Sequence, residues 1–304
     1  MDELNKQKPE VPIITIECDE QPQLKEIVTR VVAPSPKQRW LKRVLALVAI
    51  GCVMAALLAG YYRWNNYKNN NIGVPVSLTP EQNIEKLQQS VKQETPEVVM
   101  TSDTILDVAL DFYAIHGLKA SIEFQEPDTA DTSIYLYCRC ADHKADSTYI
   151  GSLVVNGEEL QSDRSRLGYM AMLGGNSVIG IAKSENVKDY VQEHGGSFFR
   201  QFIMVSDGVI PSRFYLHGKV ERRAIGRIDD TLYYIATRHK ETLWDFADAL
   251  REYGFIDAIY ITGGTDYSFY RTADGHRHDI GNVEDYPHKK WMGVIPWLVF
   301  RRTK

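Results

Sequence analysis

At 304 residues the chain has room for one or two domains. A formal net charge of −5 gives no electrostatic pull toward nucleic acid, and no P-loop, G-x-G-x-x-G fingerprint or C-x-x-C pair is present. Charged residues at 25% and hydrophobic ones at 44% are ordinary for a globular protein, which excludes a wholly disordered chain. Nothing in the sequence asks for a cofactor.

Residues 1–43 read as a polar tail broken by Pro9, Pro12, Pro22, Pro34 and Pro36, with one apolar patch at Val11–Ile16. Val44 to Tyr62 is an uncharged, mostly apolar run of 19 residues, close to the ~20 a bilayer core requires of a helix. Lys37, Arg39, Lys42 and Arg43 precede it, and only Arg63 and Lys68 follow closely. That asymmetry predicts a single-pass signal anchor in the inner (cytoplasmic) membrane, tail in the cytoplasm and the bulk of the chain in the periplasm. Tyr61, Tyr62 and Trp64 suit an interfacial belt. A cleaved signal peptide would start nearer the N-terminus, and a lipoprotein signal at Cys52 would not continue ten apolar residues further.

Residues 63–100 read as a linker and a short helix. The polar run Asn65–Asn71 has no apolar periodicity, whereas Thr79-Pro80-Glu81-Gln82 is a capping box opening a helix with Ile84, Leu87 and Val91 on one stripe. The folded domain is expected over 101–304. Asp103–His116 reads as an amphipathic helix through Ile105, Val108, Ala109 and Phe112, ended by Gly117. Strands follow at Ser121–Phe124, Ser133–Cys138, Thr148–Val155, Met170–Leu173, Val178–Ile181 and Phe202–Val205, with a helix at Glu185–Gln192. A last apolar strand, Gly293–Phe300, is expected to close the sheet. The class is α+β. Cys138 and Cys140, two apart on a strand, are expected to be reduced thiols, since so short a disulfide would be strained. His276 and His278 flank Arg277 beside the turn Asp274-Gly275, an exposed hairpin rather than a metal site.

The most informative stretch is Arg222–Tyr270. Arg222–Arg227 pairs as a hairpin with Leu232–Ala236 across Ile228-Asp229-Asp230. Thr242 caps a helix bearing Leu243, Phe246, Ala247 and Leu250 on one face, and Gly254 ends it. Ala258–Ile261 is a continuous apolar run, suited to a strand buried on both faces, and it delivers Gly263-Gly264, Asp266 and Ser268. Arg222 and Arg223 are adjacent on a strand, so only one can face a pocket.

These parts resemble the phosphodiester glycosidase family. Arg222 to Gly226 is similar to its Arg-x-x-x-Gly strand, Asp245-Phe246-Ala247 to its D-F-A helix, and Ile261-Thr262-Gly263-Gly264 to its strand ending in a double glycine. Upstream, Val155-Asn156-Gly157-Glu158, Asn176–Ile181 and Met204–Ile210 resemble three further strands in the same order, so the match spans Tyr149 to Tyr270. The resemblance implies a phosphodiester-glycosidase-like domain with a mixed sheet and flanking helices, and a glycan or sugar-phosphodiester ligand. It assigns Arg222 to the phosphate, Asn176, Thr262, Gly263 and Gly264 to substrate binding, and no metal. Three positions depart from the pattern. Thr262 replaces the family acid, Gln201-Phe202 replaces Gly-Pro, and Ser177 replaces a glycine. Since carboxylates stabilise or attack the glycosyl centre, Asp266 is the expected substitute catalytic acid. The other reading is a domain that binds without turnover.

Overall fold

The computed structural model describes residues 36–69, 75–91, 94–141, 148–211, 214, 217–264, 266–281 and 295–302. The expected tail, residues 1–35, lies outside them. Helix α1, Pro36–Asn69, contains the apolar span Arg43–Arg63, with a mean hydropathy of 2.4 and none of it buried. It is long and apolar enough to cross a membrane. The helix outruns the 44–62 run at both ends, and residues 65–69, expected as linker, continue it.

The rest begins with α2, Pro80–Gln88, whose Thr79–Gln82 capping box forms as expected. This segment is docked rather than loose. Ser77 Oγ donates to Asp257 Oδ2 at 2.6 Å, Ser206 Oγ donates to Pro75 O at 2.9 Å, and Leu87 is buried.

Residues 97–116, expected to hold an amphipathic helix, instead form a hairpin: β1, Glu97–Ile105, and β2, Val108–His116. Leu106 and Asp107, at φ 48° and 66°, make the two-residue turn, a conformation that matches the twist of paired strands. The apolar spacing that mimics a helix comes from both arms of that turn, while Val108, Leu110 and Phe112 alternate on one face of β2. Packing across the sheet decides between the two periods.

The remaining elements are β3 (Leu118–Glu123), β4 (Ile134–Arg139), β5 (Leu153–Val155), β6 (Glu158–Gln161), β7 (Gly168–Leu173), β8 (Asn176–Ile181), α3 (Asn186–Glu193), β9 (Ser197–Gln201) and β10 (Ile203–Ser206). Then come β11 (Arg222–Ile228), β12 (Thr231–Thr237), α4 (Leu243–Tyr253), β13 (Asp257–Gly263), β14 (Ser268–Arg271), β15 (Arg277–Ile280) and β16 (Trp297–Arg302). They build three sheets, in the orders β1-β2-β12-β11-β13-β10, β15-β14-β4-β16-β3 and β6-β5-β9-β7-β8. Every pairing among the described residues is antiparallel, so the expected mixed sheet is not found. The last strand does not close a sheet either. β16 lies inside the second one, between β4 and β3.

One core joins all three sheets, through residues such as Ile225, Ile259 and Ile261 of the first, Leu136, Leu298 and Phe300 of the second, and Met170 and Phe199 of the third. The other face of the first sheet is covered by α4, where Phe246 and Leu250 meet Phe112, Ala258 and Tyr260. That double burial is why Ala258–Ile261 is apolar without alternation. α4 carries the expected caps, with Asp245 N donating to Thr242 Oγ1 at 3.0 Å and Gly254 at φ 106°. Cys138 and Cys140 are buried free thiols.

Candidate functional site

The double glycine ends β13 against the start of β11. A Cβ on Gly263 would sit 2.2 Å from Tyr260 Oη, so only glycine fits there. Gly264, at φ 85°, donates its N–H to Glu221 O at 2.9 Å, and its carbonyl accepts from Arg223 Nη1 at 2.6 Å. The register between β11 and β13 shifts by a bulge between Arg223 and Ala224. Such irregularities re-aim side chains at strand ends. The glycine pair shapes a turn and lines neither the cleft beside α2 nor the one beside β1 and the β14–β15 hairpin.

That turn carries Asp266, which is 2% exposed. Its Oδ1 accepts from Tyr267 N at 2.9 Å, and its Oδ2 has no hydrogen-bond partner among the described residues. Burial pushes its carboxyl above the usual carboxylate range, against the opposing pull of the Arg223 and Arg139 guanidiniums. Arg223, opposite Thr262 in the register, is buried and pairs with Glu221 Oε2 at 3.2 Å. Arg139, at the end of β4, is 8% exposed and donates no hydrogen bond to a described residue; its buried Nε has no partner. The Tyr234 and Ser268 hydroxyls lie in the same cluster without a well-formed hydrogen bond between them. Burial pushes the nearby Cys138 thiol up, so it stays protonated. The result is one buried carboxyl with a free oxygen in the field of two cations, one of them uncommitted.

The expected site residues do not all converge here. Asp266 and buried Thr262 belong to the cluster, and Gly264 buttresses it through Arg223. Arg222 points to the α4 side of its sheet. There its Nε donates to Glu241 O at 3.0 Å, Nη1 to Tyr260 Oη at 3.4 Å and Nη2 to Gly218 O at 2.5 Å. Arg223 takes the inward place instead, because β11 is an interior strand covered on both faces. Asn176 is in the third sheet, where its Nδ2 donates to Gln89 O at 2.5 Å and Leu87 O at 3.3 Å, capping the end of α2. Asp245 lies in the first turn of α4, its Oδ2 accepting from Thr242 Oγ1 at 2.7 Å, and His276 and His278 are exposed, with His278 stacked on Tyr270. No group of three metal-ligating side chains occurs among the described residues. Sequence reading missed Arg139. Its signal was a lone cation in the otherwise apolar strand Ile134–Cys140.

No known family matches the chain in a scan of protein families, and no curated protein matches it. Among solved structures, the chain is similar to the catalytic domain of zebrafish N-acetylglucosamine-1-phosphodiester alpha-N-acetylglucosaminidase, auto-inhibited by pro-peptide. That likeness has 12% identity and a TM-score of 0.49, over 72% of this chain and 86% of that one. It is also similar to a hypothetical protein from Synechocystis, with 7% identity and a TM-score of 0.43, over 68% of this chain and 62% of that one. At these scores neither likeness carries an argument about this chain's chemistry.

Proposed function

We propose that this chain is a membrane-anchored periplasmic hydrolase that cleaves a sugar from a sugar-1-phosphodiester of envelope glycans. The observation that carries the reading is the Asp266 carboxyl, buried with one oxygen free and within the electrostatic reach of Arg223 and Arg139. Arg139, uncommitted, holds the phosphodiester anion by charge-assisted hydrogen bonds, and Arg223, anchored by Gly264 O and Glu221, sustains the field around it. Asp266, ionised, takes a proton from water as that water attacks the sugar C1. The C1–O bond breaks and its electron pair leaves with the phosphate oxygen. A raised carboxyl pKa makes this group a stronger base than an ordinary carboxylate. Phosphate leaves readily, so a second carboxylate acid is less necessary, which accommodates Thr262. The collinear motifs from Tyr149 to Tyr270 support the substrate class, and the apolar helix α1 with its basic N-terminal flank supports the anchor.

The burial of Asp266 favours a second reading, in which the domain binds a glycan without turnover. Release of free sugar from a panel of sugar-1-phosphodiesters by the full chain in detergent separates the two. Turnover that Asp266→Asn abolishes and Arg139→Leu weakens through KM supports hydrolysis. A folded chain with no turnover, which Thr262→Asp then creates, establishes the binding reading.

A further inference from the structure

A cleft of about 220 Å³ lies between α2, the start of β8 and the turn joining β11 to β12, and it shares no lining residue with the Asp266 cluster. The side-chain nitrogens of Lys86, Arg227, Asn176 and Asn83 are engaged within the protein. Lys86 Nζ pairs with Asp230 at 3.1 Å, and Arg227 is held by Asp257, Asp229 O and Ser77. The Asn176 amide nitrogen serves the carbonyls of Leu87 and Gln89, and the Asn83 amide nitrogen donates to Tyr169 Oη at 2.8 Å. Acceptors are left over. Asn83 is 1% exposed, lines the cleft, and has no partner for its Oδ1 among the described residues. Asn176 retains its own oxygen, and Glu94 at the rim is exposed, with no ion pair among the described residues. The floor is apolar: Ile115, Leu232 and Phe300.

A buried unpartnered oxygen is unfavourable unless something donates to it. Acceptors above an apolar floor match a ligand with donors on its edge and an apolar face. No cation free of an internal partner lines the cleft among the described residues. We propose that this cleft is a second binding site, for one neutral saccharide ring, its hydroxyls donating to Asn83, Asn176 and Glu94. The volume is below the roughly 300–1,000 Å³ of drug-sized pockets, which limits the occupant to a single ring. The inference stands apart from any role of Asp266.

The test uses the full chain in nanodiscs, with methyl α-glucopyranoside and methyl β-galactopyranoside as probes and cyclohexylamine and inorganic phosphate as controls. Saturation-transfer NMR titration gives the affinity, and hydrogen exchange over residues 80–91 reports the ordering of α2. The expected result is saturable millimolar binding of at least one glycoside with slower exchange in α2. Affinity should fall at least tenfold in Ser177→Trp and in Glu94→Trp, two rim changes outside the core, and stay unchanged in Asp266→Asn. The proposal is overturned if neither glycoside saturates or if only a control compound binds. It is equally overturned if binding survives both rim variants, or disappears in Asp266→Asn alone, which would move the sugar to the other cluster.

Discussion

Replacing Asp266 with Asn should raise stability at neutral pH while abolishing turnover. The carboxyl is 2% exposed with Oδ2 unpartnered, and its upward pKa displacement means burial outweighs attraction to Arg223 and Arg139. A group raised in the fold contributes stability that is fully present below its unfolded value, 3.8 here, and lost as pH rises through its folded value. The native chain therefore loses stability from about pH 4 upward through this residue, and an amide, which does not titrate, does not. Asn keeps the bond from Tyr267 N and leaves a neutral unpartnered group, costing about 1–3 kcal/mol, where a carboxylate costs more. Arg223 keeps Gly264 O and Glu221. Each kcal/mol of net gain at pH 8 corresponds to roughly 2–4 °C in Tm for a domain of this size. Circular-dichroism melts of both forms at pH 4, 6 and 8 give the difference, and the rest of the protein's titration cancels in it. An Asn variant less stable at pH 8, or a gap that does not change with pH, would refute the balance of forces assigned to the cluster.

Arg139→Leu should raise KM for a phosphodiester about ten- to hundredfold, the worth of a charge-assisted hydrogen bond, and steady-state kinetics that leave KM unmoved remove its role. Arg227→Ala strands the fully buried Asp257 carboxylate and should cost about 3–5 kcal/mol in urea unfolding; a loss under about 1 kcal/mol would mean Ser77 and Asp207 N suffice. Gly263→Ala should cost about 1–3 kcal/mol by its clash with Tyr260 Oη, and Tyr260→Phe in the same chain should recover part of it; no recovery assigns the cost to the Glu221 backbone 3.1 Å away. Alkaline phosphatase fused after Asn71 should be active, since that enzyme matures only in an oxidising compartment; inactivity at normal expression reverses the topology.

The parts of this fold legible in the sequence are those whose chemistry is local. Thr242 and Gly254 bound α4, Thr79 and Gln82 open α2, and the doubly buried β13 announces itself as an unbroken apolar run. The β1–β2 hairpin was illegible because Ile105, Val108, Ala109 and Phe112 fit a helical stripe, and only the partner strand β12 decides between periods. The candidate site was half legible. Alternation says that Arg222 and Arg223 face opposite sides, but not which side holds the acid, since both sides of β11 are buried. Asn176 could not be assigned from its neighbours, because the carbonyl of Gln89 that it satisfies is 87 positions away.

The interior place of β16 has a kinetic consequence. β3 meets the rest of its sheet only through β16, and Glu123 and Arg301, ion-paired across that junction, are 178 positions apart. Until Trp297–Arg302 arrives, the apolar flanks of both β3 and β4 are unpaired edges, and closing so long a loop is the slow kind of folding event. The β15-β14-β4 part of the second sheet can pair without it, so the late step is the docking of β16 and β3, and until then the inner edge of β4 stays open.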